Sequence, residues 1–409
     1  MSPKIISVYT YLILPVFLVH TPCQTSHTNI NPETSSFEFT TKIAASPVKN
    51  QGRTNTCWCF ATISLIESDL LRLTGKTYDL SEMFIIRKVY LEKAERYIRM
   101  HGHMNFAGGG EPDNVIDVIK KYGIMPESAY SGLKNDSLQH NHHLMDLELK
   151  QFVSDVVKNP EKNLNKNWKE KFEAIMDRHI GHVPETFTFE ESEHTAKSFA
   201  GTLNLNFDNY ILITSFNHHP YYQSFILEVP DNWSCGSFYN VPPGELKKIV
   251  QHALINGHSA VWAADYSETG FDHRAGMAVA PKMLYKNGEK RSITKLQRYS
   301  AEERDKYFFD LSQPVNEIIA DSLNRQEAFD NYASTDDHAM HIVGQAKGIN
   351  GKTYFYVKNS WGTNNKFGGY LFISEAYFNY KTISLMVDKN YLPDETKELL
   401  SSKNARDCF

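Results

Sequence analysis

The sequence predicts an α+β fold in which helices come early and strands late. Three observations carry this. After Cys57, apolar residues recur at helical spacing: Phe60, Ile63, Ile66, Leu70 and Leu73. Late in the chain, two β-rich runs, 338–346 and 353–358, flank a turn-forming stretch at 347–352. Between these halves, residues 134–200 are charged, His-rich and helical in character, which predicts a large helical insertion.

Taken in order, the chain opens with Lys4 and an apolar stretch from Ile5 to Val19, followed by Pro22, Cys23 and Gln24. This reads as a signal peptide over residues 1–23, cleaved near Cys23, and implies export to the periplasm or the outside. It is short for a membrane span, which needs ~20 apolar residues. A retained anchor or a lipid on Cys23 is the lesser alternative. Residues 24–45, rich in Ser, Thr and Asn, read as a flexible arm. The first helix should start at Cys57 and stop at Gly75, and a second should start behind Ser81, a good N-cap. Gly108, Gly109 and Gly110 form a turn ahead of a helix through Val115 and Ile119 that ends at Gly123. The insertion spans roughly 134–235, with helices at 148–157 and 167–179. Strands are expected at 210–216, 224–229 and 259–264, and a helix at 243–256. Residues 283–310 and 391–409 read as polar connectors and tails; the main domain is 46–395 and the C-terminal tail 396–409.

The late strands pose a register problem. A two-residue turn at Asn350 and Gly351 would set Asn359 opposite Ile342. If His338 and Asn359 work together, a longer loop or a bulge near Gly348 and Ile349 must intervene.

Composition bounds the function. The 409 residues are 41% hydrophobic and 12% aromatic, enough for a large core. A net charge of −5 with no basic run points away from nucleic acid and anionic membrane surfaces. The cysteines are Cys23, Cys57, Cys59, Cys235 and Cys408. One is needed for chemistry and one leaves with the signal, so a disulfide framework is not expected.

The chemistry concentrates in three places. Gln51 precedes Cys57 by six positions, and Cys57 sits where a helix should begin. A helix N-terminus and a nearby imidazolium can bring a thiol from a pKa near ~8.5 down to ~3.5–7.5. Backbone N–H groups of the turn and the Gln51 amide can face an oxyanion. His338 would be the base and then the acid, Asn359 would hold its tautomer, and Trp361 would cover that contact.

These stretches, Gln-Gly-x4-Cys-Trp-x-Phe, Asp-His-Ala and Lys-Asn-Ser-Trp-Gly, resemble the papain superfamily of cysteine peptidases. The resemblance implies a papain-like fold, a helical half plus a β-barrel-like half, and catalysis by Cys57, His338, Asn359 and Gln51. It implies that Gly109 and Gly110 bind the substrate backbone and that Asp337 and Ala339 line the adjacent pocket. His338 and Asn359 lie 281 and 302 positions after Cys57; in papain-type enzymes the separation is ~130–150. The large insertion, with Asp231–Asn232–Trp233 and the run from Phe238 to Pro242, is similar to the bleomycin hydrolase and aminopeptidase C branch. Thr54 stands where papain has a disulfide cysteine, and about 34 residues between signal and Cys57 leave no room for a large propeptide. That branch implies release of N-terminal residues from peptides, a homo-hexamer, and a C-terminal arm in the cleft. No metal or organic cofactor is implied. A cysteine endopeptidase with an open cleft, a thioester acyltransferase and a non-enzymatic binding protein are the alternatives.

Other features take plainer readings. Cys59 packs in the core. His101, His103, His140, His142 and His143 are solvated surface residues, lacking a ligand set at metal spacing. His218 to Tyr222 form a structural loop, with a cleft border as the lesser option. Asn135 and Asn232 head glycosylation sequons, meaningful only in a eukaryotic source. Asp265 is a loop or cap residue.

Overall fold

The computed structural model describes residues 36–404 except 135–136, 164–166, 283–284, 287–288 and 291–299. The expected signal peptide, most of the arm, Cys23, Asn135, Cys408 and the last five residues lie outside the described residues.

The helical half is built around α1 (Cys57–Thr74), of whose 18 residues 13 are buried. Ile63, Ile66 and Leu70 are fully enclosed. Burying each such side chain contributes ~1.5–3 kcal/mol before entropy is charged. Gly75, at φ 69°, ends the helix in a left-handed turn that an L side chain would strain, and its N–H bonds the Leu71 carbonyl. In α2 (Glu82–Arg99), the Ser81 hydroxyl accepts the Phe84 N–H. Pro112 opens α3 (Pro112–Tyr122), with Glu111 and Asn114 forming a reciprocal cap. The insertion supplies α4 (His143–Lys158) and α5 (Trp168–Ile180), which pack on each other and on α2 through Met145, Leu149, Val153, Phe172 and Met176.

The other half is one large sheet. Its strands are β1 (Phe37–Lys42), β2 (Tyr210–Thr214), β3 (Ser224–Ile226), β4 (Ser237–Asn240), β5 (Ala260–Ala264), β6 (Phe271–Asp272), β7 (Met277–Ala278), β8 (His338–Gly348), β9 (Thr353–Lys358), β10 (Tyr370–Ser374) and β11 (Thr382–Asp388). They run in the order β3-β4-β2-β11-β5-β8-β9-β10-β7-β6, with β1 added to β8. Pairs β2/β4 and β7/β10 are parallel and the others antiparallel. Strand β8 has β9 along one edge; β5 takes the first part of the other edge and β1 the rest. Helix α6 (Pro243–Ile255) covers the sheet with Leu246, Ile249 and Val250 in a second core that includes Trp262, Phe355 and Phe378. Helices α7 (Ser322–Asp330) and α8 (Glu375–Lys381) meet through Arg325, whose guanidinium bonds the Asn379 and Thr382 carbonyls at 2.5 and 2.8 Å.

The hairpin uses both devices expected of it. A Gly348 N–H bond to the Lys352 carbonyl closes a loop of Ile349, Asn350 and Gly351. The bulge lies not beside the turn but in mid-strand, between Ile342 and Gly344. Lys358 therefore falls opposite His341.

Four readings are corrected. Residues 37–42 of the supposed arm form β1, because Phe37 stacks on Phe372 at 3.6 Å between ring centres and its backbone fills the free edge of β8. Residues 301–309 are helical rather than a connector, with Phe308 and Phe309 buried. The tail contains a helix, α9 (Asp394–Asn404), held by Thr396 on Glu245 at 3.1 Å and by buried Leu400. His142 is buried rather than solvated, and burial lowers its pKa to about 3.

Candidate active site

Cys57 is the first residue of α1 and lines a cleft of about 980 Å³. The turn before it is tightly built. Gly52, at φ 64°, lies so close to the His140 carbonyl that a Cβ there would stand 2.2 Å from its oxygen. Thr54, fully buried, bonds the Gln51 carbonyl at 3.0 Å and the Thr56 hydroxyl at 2.6 Å. Hydroxyl bonds thus occupy the position where a disulfide was absent from the sequence. Thr56 makes no side-chain cap, so the first N–H groups of α1 are left for whatever sits at the cleft.

His338 begins β8, opposite Ala264 of β5. Its Nε2 is 2.8 Å from Asn359 Oδ1. The Ser360 N–H also reaches that Asn359 atom at 2.8 Å. A backbone N–H can only donate, so the atom is the oxygen, His338 donates through Nε2, and Nδ1 is left to exchange a proton. The Ala339 N–H reaches Cys57 Sγ at 3.4 Å, which ties the two halves together at the thiol. Trp361 stacks on the His338 ring at 4.5 Å and 25°. Gln51 is fixed by Ser360, whose hydroxyl donates to Gln51 Oε1 at 2.6 Å, while its own N–H bonds the Ser360 carbonyl at 2.8 Å. That leaves the Gln51 amide N–H₂ as the end able to serve the cleft.

Burial pushes the Cys57 thiol up to about 12, against the N–H groups of Ala339 and Trp58, with Asp336 and Asp231 adding to the rise. Burial lowers His338 to about 4, against the Asn359 bond. Each group alone is held neutral. A thiolate at Cys57 therefore needs a cation beside it to offset the burial.

Gly109 and Gly110 face the cleft with no space for side chains. A Cβ on Gly109 would meet Asp231 Oδ2 at 2.0 Å, and one on Gly110 would meet Trp58 Cε2 at 3.0 Å. Trp58 Nε1 bonds the Gly108 carbonyl at 3.0 Å, pinning this strip to α1. Asp337 and Ala339 also line the cleft. The structure thus brings together every residue singled out for the site: Gln51, Cys57, Gly109, Gly110, Asp337, His338, Ala339, Asn359 and Trp361.

With this geometry in view, the comparisons with known proteins can be read. The peptidase C1-like family model matches residues 19–406. The chain belongs to that family. It is a cysteine-type peptidase with a papain-like α+β fold. Aminopeptidase G of Lactobacillus delbrueckii subsp. lactis is 24% identical over 404 residues, covering 89% of this chain and 86% of that one. Bleomycin hydrolase of Homo sapiens is 20% identical over 405 residues, covering 87% and 83%. The crystal structure of PepW from Lactobacillus rhamnosis superposes with a TM-score of 0.66 at 20% identity, over 90% of this chain and 85% of that one.

This peptidase has cleft residues that sequence reasoning passed over. Tyr266 packs edge-on against Trp361 and His338, at 5.3 and 5.4 Å. His273 Nδ1 lies 3.2 Å from Asn359 Nδ2. Nothing local marks either residue; Tyr266 arrives from the connection between β5 and β6 and His273 from the one between β6 and β7. Glu111 and Asp336 were nearer to hand, one following Gly110 and one preceding Asp337. Lys93 anchors the glycine strip from behind, bonding the Ala107 carbonyl at 2.8 Å and the Gly109 carbonyl.

The remaining readings are settled by contact. Cys59 is fully buried, 3.6 Å from the Glu82 carbonyl, and Cys57, Cys59 and Cys235 are free thiols. His218 and His219 face Glu228 at 3.2 and 3.0 Å, a His–His–Glu group that does not line the cleft. Asn232 spends its side-chain nitrogen on the Leu227 and Gly236 carbonyls, so its amide is not offered for glycosylation. Asp265 is buried on Lys381 and bonds the Ser267 N–H at 3.0 Å, as a loop anchor does. Among the described residues no helix is long and apolar enough to cross a membrane.

Proposed function

We propose that this peptidase releases N-terminal residues from peptides through a thioester on Cys57. The observation that carries the roles is the meeting of thiol, imidazole and amide: Ala339 N–H on Sγ, and His338 Nε2 on Asn359 Oδ1. Cys57 Sγ attacks the scissile carbonyl as its proton goes to His338 Nδ1. The oxyanion is met by α1 N–H groups and the Gln51 amide, and one such donor is worth ~2.7–4 kcal/mol. His338 returns the proton to the leaving amine, and water then hydrolyses the thioester. The restriction to N-terminal residues is supported by relatives named aminopeptidase C, E and G. Cys57→Ala should abolish turnover by a factor of about 10⁴ or more; full activity in that variant would remove the proposal.

A second reading, an open-cleft endopeptidase, is favoured by one observation: among the described residues, none beyond Trp361 lines the cleft, and α9 is anchored on Glu245 instead. Free-amine and N-acetylated peptides separate the two, before and after removing residues 405–409. We also propose export, supported by the apolar stretch from Ile5 to Val19, and a homo-hexamer, supported by the family branch. N-terminal sequencing of the protein in the medium tests the first. Light scattering tests the second by a mass six times that of the chain.

A further inference from the structure

We propose that Glu111 and Asp336 form an anionic subsite that takes the free α-ammonium group of the substrate's N-terminal residue. This rests on the aminopeptidase reading and names the chemistry that would enforce it.

The bond count fixes where such a group must lie. When the N-terminal residue alone is cleaved off, its nitrogen is two bonds from the carbonyl carbon attacked by sulfur, within about 2.5 Å of it. The receiving group must therefore stand beside Cys57 and the glycine strip. Glu111 follows Gly110 directly and Asp336 lies two residues before His338; both line the cleft. Asp336 is close enough for its charge to act on the Cys57 sulfur.

The state of Glu111 is what singles out this pair. Its residue is 1% exposed, yet Oε1 faces no hydrogen-bond partner. After burial, the leading influences on it are Asp336, by charge and by a hydrogen bond, and the charges of Asp113 and Asp231, all acidic. A buried carboxylate ordinarily lies against a cation or a set of donors. Here two carboxyls lie together and share a hydrogen bond, and burial with acidic neighbours raises both above the ordinary carboxylate range. The cations nearby are committed or elsewhere. Lys93 spends its ammonium on the Ala107 and Gly109 carbonyls. Arg53 lines the cleft but does not figure among the charges acting on Glu111. Asp231 is served by Asn105 at 3.1 Å and by Lys93. An arriving ammonium supplies the missing charge and three donors. An N-acylated substrate supplies neither.

The test compares three coumarylamides: alanyl, propionyl, which lacks only the amine, and N-acetylalanyl. Glu111→Gln and Asp336→Asn should each raise KM for the alanyl substrate about 10- to 100-fold with kcat little changed, the loss expected when a charge-assisted hydrogen bond disappears. Turnover of the propionyl substrate should not fall. The rate at which Cys57 reacts with iodoacetamide, unchanged in Glu111→Gln and not lowered in Asp336→Asn, which removes a charge that opposes the thiolate, shows that the site is intact. An unaltered alanyl KM, or equal losses on alanyl and propionyl substrates, overturns the subsite alone. A loss confined to blocked peptides with Arg or Lys before the cleaved residue overturns it in favour of a basic side-chain pocket. Wild-type protein that cleaves N-acetylalanyl as well as alanyl substrate overturns the aminopeptidase reading first, whatever the variants do.

Discussion

Two groups of carboxylates lie near the start of β8, and their surroundings are opposite. Asp265 and Glu268 converge on Lys381, whose buried ammonium reaches them at 3.1 and 2.5 Å and also bonds the Ala333 carbonyl and the Ser334 hydroxyl. Glu111 and Asp336 converge on each other at the cleft. In the first group the fold supplies the countercharge. In the second, among the described residues, the two carboxyls bond each other and the fold sets no cation between them. The difference teaches that buried charge in one protein can serve cohesion or recognition, and that the presence of an internal partner tells them apart.

The largest expected effect breaks the matched group. Lys381→Met leaves two buried carboxylates without their cation and should cost about 3–5 kcal/mol of stability. Urea denaturation measures it, and a loss below 1 kcal/mol would erase the contrast. Next comes the unmatched group. Burial, opposed by the hydrogen bond with Glu111 and aided by Asp231 and Asp337, holds Asp336 up to about 7. An unfolded aspartate has a pKa near ~3.9. The folded state thus binds this proton more tightly, and the associated stability, complete below about pH 4, is lost as pH rises through about 7. Asp336→Asn escapes that loss. It should unfold at higher urea than wild type at pH 8, by about 1–2 kcal/mol, with a smaller margin at pH 5. A variant less stable at pH 8 would show that Asp336 is already compensated inside the fold.

The smallest effect concerns the cationic partner that chemistry does require, the His338 imidazolium. It is held by rings rather than carboxylates: Trp361 stacks on it and Tyr266 meets it edge-on. An aromatic contact of this kind is worth ~0.5–1.5 kcal/mol. Trp361→Leu should therefore lower kcat roughly two- to tenfold, read from initial rates on a free-amine substrate.

What could be read from the chain follows the range over which each feature is determined. Helix α1 was legible because spacing, the Gly75 stop and the Ser81 cap of α2 are all local. The need for a longer loop or a bulge was legible because strand pairing obeys a count; that both occur, and the bulge's place, were not, since β5 gives way to β1 on the far edge of β8 where the bulge lies. Strand β1 was hidden because the Ser- and Thr-rich stretch in which it lies looks like a linker until Phe37 meets Phe372. Helix α9 was hidden because its anchors are distant in sequence: Thr396 bonds Glu245, some 150 residues earlier in the chain, and Leu400 is buried. At the site, the motif residues were legible from their type and order. The opposition of Glu111 and Asp336 was not, because 225 positions separate them and neither belongs to a motif.

Helix α1 carries a consequence of a different kind. Two thiols sit within its first turn: Cys57 opens onto the cleft, and Cys59 is sealed against Glu82. Because its contact is with Glu82 of α2, Cys59 meets solvent when α1 and α2 part. One short peptide therefore holds both a reporter of the working state and a clock for the opening of the helical half. The ratio of alkylation at the two sulfurs, followed over time, would read the opening rate of this protein without any added label.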